Sequence, residues 1–234
     1  MTPRSLSAAL ILSALHAASA GAQSAPDGKQ ISTQGANGAP ACITCHGARG
    51  EGNPAAGFPQ LAGMGSAYLE EQLEAMANGS RVSPVMAATA KALDPAQRKA
   101  VAQYYASLPS AQDIDKLAAT AMHPANPADT GAWLATRGAW DKNVPACNQC
   151  HGPGGIGVGA NFPALAGQPA AYIAGQLRAW QQGQRPPGPL GLMPAVATRL
   201  SSAEIDAVSA YYAGLPKAAD QLAAQANTAA GAQQ

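Results

Sequence analysis

The string ACITCHGARGEG at residues 41–52 returns, little changed, as ACNQCHGPGGIG at residues 146–157. All four cysteines of the chain fall in these two copies, as the tight pairs Cys42/Cys45 and Cys147/Cys150. Each pair is followed at once by a histidine, His46 or His151. The surroundings repeat as well. FPQLAG at 58–63 matches FPALAG at 162–167, AYLEEQLEAMANGSR at 67–81 matches AYIAGQLRAWQQGQR at 171–185, and AQYYASLP at 102–109 matches SAYYAGLP at 209–216. Even the lead-in recurs, with Gly28 and Gly35 matching Gly131 and Gly138. The chain is therefore a tandem duplication of units of about 90 residues, each required to perform the same chemistry.

Cys-x-x-Cys-His is the attachment signature of a c-type haem. On one helical turn two thiols reach the two vinyl groups of one porphyrin, and the next imidazole lies beneath the iron. The spacing predicts thioethers at Cys42, Cys45, Cys147 and Cys150, with His46 and His151 as proximal iron ligands. Two covalent haem c groups follow, and no thiol is left for a disulfide. A thioredoxin-like dithiol calls for a βαβ setting and a single copy, whereas here glycines and prolines surround both copies. A joint Cys/His zinc site conflicts with pairs so far apart, each with its own flanking pattern. GPGGIG at 152–157 fits the dinucleotide fingerprint only by letter, because no strand precedes it.

The N-terminus reads as an export signal over residues 1–22. Arg4 precedes an apolar run from Leu6 to Leu15, and small residues follow, with cleavage sites after Ala20 or Ala22. The run is short for a membrane span, although an uncleaved anchor is the competing reading. The remainder is expected to be exported to the periplasm, with peripheral membrane association left open. Formal net charge is +1, which gives no electrostatic case for nucleic acid.

Periodicity and capping signals predict helices only. One leads into each haem motif, near 27–36 and 128–140, and a second carries the motif. A third runs from Ser66 to about Ala77 with Leu69, Leu73 and Met76 on one face, matched by Ile173, Leu177 and Trp180. The last helix of each unit starts with strong signals, Asp94-Pro95 with Gln97 and Ser201 with Glu204. Pro109 and Pro216 are expected to end these helices. The fold class is thus all-α, two helical domains at 23–110 and 128–217, each packed around one covalent haem. A partly helical linker covers 111–127 and a disordered Ala/Gln-rich tail covers 218–234.

A second axial ligand decides between electron transfer and catalysis. Past the signal, only His123 is spare, so two bis-histidine haems are excluded by counting. Met193 is the single methionine of the second unit, and the repeat places Met86 opposite it. Met64 faces Gln168, Met76 belongs to an apolar helix face, and Met122 lies in the linker. Met86 and Met193 are therefore the candidate distal ligands. The carbonyls of Pro59 and Pro163 are candidates to orient the histidines, or the prolines shape a loop. Arg81 and Arg185 either meet haem propionates or face solvent, and roles for Tyr68/Tyr172 and Tyr104/Tyr211 stay open.

These motifs together, ACITCHGARGEGN, FPQLAG, YLEEQL and the closing YYASLP over residues 27–217, resemble the dihaem cytochrome c4 family. The resemblance implies a bilobal periplasmic electron carrier with two His/Met haems facing each other across a pseudo-twofold. It implies respiratory-chain donors and a terminal oxidase as partners. Two further readings stand beside it: a cytochrome subunit of a periplasmic dehydrogenase complex, and a dihaem peroxidase. Nothing else in the chain is arranged for catalysis, so no enzyme activity is expected.

Overall fold

The computed structural model describes residues 25–123 and 125–231; the proposed signal at 1–22 lies outside them. The described residues form an all-helical protein with two cytochrome c domains in tandem. The first unit contains α1 (Gly28–Gln34), α2 (Ile43–His46), α3 (Ser66–Ala77), α4 (Met86–Ala92) and α5 (Pro95–Ser107). Then comes α6 (Ile114–Thr120). The second unit repeats the order as α7 (Thr130–Thr136), α8 (Asn148–His151), α9 (Ala170–Gln181), α10 (Leu192–Ala197) and α11 (Ser202–Gly231). Isolated bridges such as Asn53–Phe58 and Val158–Phe162 pin the loops between haem motif and third helix.

The repeated lead-in glycines act where helices cross. A Cβ on Gly28 would sit 2.2 Å from the Ala100 carbonyl oxygen of α5, and one on Gly131 would sit 2.4 Å from that of Ala207 on α11. Only glycine allows the first and last helices of each unit to approach this closely. Gly35 and Gly138 then end the lead-in helices at φ 77° and 76° and turn the chain toward the cysteines.

The predicted capping signals operate. At α5 the Asp94 carboxylate accepts the Gln97 backbone N–H at 2.8 Å while Gln97 Oε1 accepts the Asp94 N–H at 3.0 Å. Ser201 and Glu204 form the same reciprocal pair ahead of α11. Pro216 departs from expectation. It does not end its helix, and the tail expected to be disordered is helical through Gly231. A proline inside a helix deprives the carbonyl four residues earlier of its donor. Here that carbonyl, of Tyr212, accepts the Gly167 backbone N–H at 2.9 Å instead. The continued helix is held by packing: Leu215 and Ala219 are buried in the second core beside Leu117 of α6, and Lys116 pairs with Asp220 at 2.8 Å. The linker helix is thus built into the second unit.

Candidate haem sites

The Cys-x-x-Cys-His motifs fold as single helical turns, α2 and α8, as the attachment geometry requires. All four cysteines are unpaired thiols here. Burial pushes the Cys42 thiol up and the Cys147 thiol up to about 11, unlike the ready thiolates a zinc or dithiol redox site uses. Among the described residues no cluster of three or more His, Cys, Asp or Glu is arranged to hold a metal ion.

The two histidines are placed alike. His46 Nδ1 donates to the Pro59 carbonyl oxygen at 2.9 Å, and His151 Nδ1 donates to that of Pro163 at 2.8 Å. A proline carbonyl therefore does orient each imidazole. Each bond leaves Nε2 with a free lone pair. Burial holds both imidazoles below their ordinary pKa, and the proline carbonyls offset this only in part, so the rings stay neutral. His46 Nε2 is buried with no hydrogen-bond partner. A buried, neutral, bare imidazole nitrogen aimed away from its carbonyl anchor is what an iron ligand needs, and it costs free energy if nothing binds it. The residues present fit a haem at each motif.

Met86 is the first residue of α4 and Met193 the second of α10, both half-buried. These short helices are not readable from sequence, because MAATAKA and LMPAVA are too short to declare a period. Met76 is buried, as its place on an apolar helix face predicts. Met64 is also buried in the first unit, and Met122 is 85% exposed.

Arg81 and Arg185 lie neither in solvent nor within one unit. Both are 7% exposed and sit on the seam between the units. Arg81 donates to Gln72 Oε1 at 2.9 Å, Gln176 Oε1 at 2.6 Å and the Tyr172 hydroxyl at 3.2 Å. Arg185 donates to Gln176 Oε1 at 3.2 Å, Gln72 Oε1 at 2.8 Å and the Tyr68 hydroxyl at 3.1 Å. The pattern is a pseudo-twofold in which each glutamine serves both arginines. Neither guanidinium has a carboxylate partner among the described residues. Burial alone would push the Tyr68 hydroxyl up, but the fields of Arg185 and Arg81 outweigh it and draw its pKa below the ordinary value. A buried pair of cations matched only to neutral acceptors suits anionic groups such as haem propionates. Gln60 and Gln168 complete the seam, Gln168 donating to the Gln60 carbonyl at 3.1 Å. The identity of this network escaped sequence reasoning, although the repeated Tyr and Arg positions marked it. Tyr104 and Tyr211 stay half-buried; their neighbours Tyr105 and Tyr212 are the buried ones, bonded to Ser32 and Asn148 at 2.7 Å.

Two covalent haem cradles on a duplicated helical frame define a dihaem c-type cytochrome, an electron-transfer protein rather than an enzyme. The family model for cytochrome c matches residues 25–109, and that for cytochrome c oxidase, cbb3-type, subunit III matches residues 132–211. The chain is 36% identical to cytochrome c4 of Pseudomonas aeruginosa, over 74% of this chain and 83% of that one. It is 49% identical to the thiosulfate dehydrogenase electron acceptor of Thiomonas intermedia, over 76% of this chain and 80% of that one. Among solved structures, reduced cytochrome c4 from Pseudomonas stutzeri aligns with TM-score 0.61 at 34% identity, over 74% of this chain and 92% of that one. Thiosulfate dehydrogenase (TsdBA) from Marichromatium purpuratum aligns with TM-score 0.69 at 42% identity over 80% of this chain, which spans 39% of that chain. The chain belongs to the dihaem cytochrome c4 family.

Proposed function

We propose that this dihaem electron carrier accepts electrons from a thiosulfate dehydrogenase in the periplasm. The similarity to the Thiomonas acceptor carries the reading, since at 49% it exceeds the 36% found for the Pseudomonas aeruginosa cytochrome c4. A second support is the TsdBA alignment: most of that dehydrogenase chain lies outside the match, so a unit pair like this one is joined there to further protein. The order of the sequence-based readings is thereby reversed. The dehydrogenase partner stands ahead of a general carrier between respiratory donors and an oxidase, and the peroxidase reading falls away. Residues 1–22 would direct export; among the described residues no helix is long and apolar enough to cross a membrane.

The haems supply the ferrous–ferric couple. The chain's own residues hold that couple in place. Cys42 and Cys45, with Cys147 and Cys150, would anchor the porphyrins; His46 and His151 would offer Nε2 to the irons, steadied by Pro59 and Pro163. Met86 and Met193 would offer thioether ligands that keep substrate away from the irons. Arg81 and Arg185 would neutralise propionates on the seam.

The test is rapid mixing of oxidised protein with a thiosulfate dehydrogenase and thiosulfate, followed at the haem absorbance. Full reduction of both haems is expected only when enzyme and substrate are both present. Reduction that proceeds faster with a quinol-oxidising cytochrome complex, and hardly at all with the dehydrogenase, would return the bet to a general respiratory carrier.

A further inference from the structure

The helices that carry Met86 and Met193 near their starts are seven and six residues long. Helices this short do not persist on their own propensity, and their last carbonyls need donors. In the first unit the donor is Arg98 of α5. Its guanidinium bonds the Ala90 carbonyl at 3.1 Å and the Leu93 carbonyl, and it pairs with Glu74 at 2.7 Å. Arg98 is 7% exposed, and the carbonyls it takes belong to residues 0% and 2% exposed. In the second unit a side-chain donor is Gln181, the last residue of α9, whose Nε2 bonds the Leu200 carbonyl at 2.9 Å and, beside the Leu200 backbone N–H at 3.2 Å, the Ala197 carbonyl at 2.8 Å.

These are the same two carbonyls in each unit. Counted from the methionine, 90 − 86 and 197 − 193 both give 4, while 93 − 86 and 200 − 193 both give 7. The donors, however, come from different elements. The repeat places Ala77 opposite Gln181, and Ile205 opposite Arg98. Each unit thus has a donor at one position and an apolar residue at the other, exchanged between copies. Conserved contact through exchanged residues is what a required restraint leaves behind when two copies drift apart.

We propose that Arg98 and Gln181 are positioning residues that hold the methionine-bearing helices against their haems and so keep the thioether on the iron. The inference rests on Met86 and Met193 being the axial ligands. The two clamps differ in charge: Arg98 places a cation at a helix C-terminus, where the backbone dipole favours it, and Gln181 is neutral.

The experiment follows the ferric methionine–iron charge-transfer band of the holoprotein as pH rises and competing ligands displace the thioether. Loss of two hydrogen bonds to buried carbonyls should lower the midpoint of that displacement by about one pH unit or more in the affected haem. Arg98→Ile should do this for the first haem alone, and Gln181→Ala for the second alone. The double variant Ala77→Gln/Arg98→Ile builds the second unit's clamp into the first and should recover at least about half of the lost shift. If Arg98→Ile fails to accumulate, Gln181→Ala decides by itself. Unchanged midpoints, with only the melting temperature lowered, would overturn the clamp and leave Arg98 and Gln181 as ordinary packing residues. Met86→Ala and Met193→Ala keep the two failures apart: bands that survive these substitutions refute the ligand assignment, whereas bands lost here but indifferent to the clamp variants refute the clamp alone.

Discussion

The two units share a plan but not a core. Among the described residues the second unit buries a cluster of fifteen apolar side chains, the first a cluster of eight. Part of the difference comes from outside the repeat. Leu117 of α6 and Ala219, beyond Pro216, add to the second cluster and have no counterpart in the first, and Leu215 is buried there while its counterpart Leu108 only packs part-buried against the first cluster. Small helical units of this size sit near the limit of independent stability, so whatever the polypeptide fails to bury must be supplied by the porphyrin. The first unit therefore depends more heavily on its haem than the second.

The largest effect should come from removing one haem at a time. Cys42→Ala/Cys45→Ala and Cys147→Ala/Cys150→Ala should each yield protein with the mass of a single covalent haem. The comparison is sharpened by circular dichroism and limited proteolysis. Loss of the first haem should leave its unit largely unfolded and readily cut, while loss of the second should leave α6 and α11 partly protected. Equal proteolysis of both variants would break the comparison, because the extra cluster would then contribute nothing.

What could be read in advance follows the same division. The duplicated motif, the capping boxes at Asp94 and Ser201 and the bounds of α3 were legible because each is written in a short local pattern. The extension of α11 was not, because Pro216 is a breaker by local rules and only a donor from another loop, Gly167, removes the penalty. Leu215 and Ala219 likewise show nothing in sequence of their packing beside Leu117. The seam was half legible. Repetition singled out Tyr68, Tyr172, Arg81 and Arg185, yet repetition cannot say whether a residue faces its own haem, solvent or the other unit. That the two arginines share Gln72 and Gln176 needed the three-dimensional arrangement.

The sharing gives the second prediction, of intermediate size. Each guanidinium contacts acceptors from both units, so a single substitution should be felt at both haems. Removing a buried cation disfavours the reduced, less positive iron, so Arg81→Gln or Arg185→Gln should lower both reduction potentials, by about a few tens of millivolts. Redox titration with the two haems resolved tests this. A shift confined to one haem would show that the seam is two separate contacts rather than one network, and would make the units electrostatically independent.

The smallest expected effect concerns how each unit secures the start of its last helix. In the first unit Asn37 donates to Gln97 Oε1 at 2.8 Å, a neutral contact from the lead-in loop. In the second, Lys142 from the corresponding loop pairs with Glu204 at 2.6 Å. The Lys142 ammonium, with the Ser201 backbone N–H behind it, holds the Glu204 carboxyl below its ordinary value of 4.5. A carboxyl whose folded pKa is depressed adds stability that is complete above the ordinary value and is lost as pH falls through the folded one. The second unit should therefore soften on acidification in a way that Glu204→Gln abolishes. Near neutral pH the variant should be less stable by roughly 0.5–1 kcal/mol, the scale of a part-exposed pair combined with a cap. Well below 4.5 the two proteins should melt together. Because Lys142 is 40% exposed, added salt should narrow the gap at neutral pH as well. Melting curves of holoprotein and variant across the acid range measure this directly, and a gap that stays constant with pH would mean that Glu204 acts only through its shape and hydrogen bonds, as Gln97 does in the first unit.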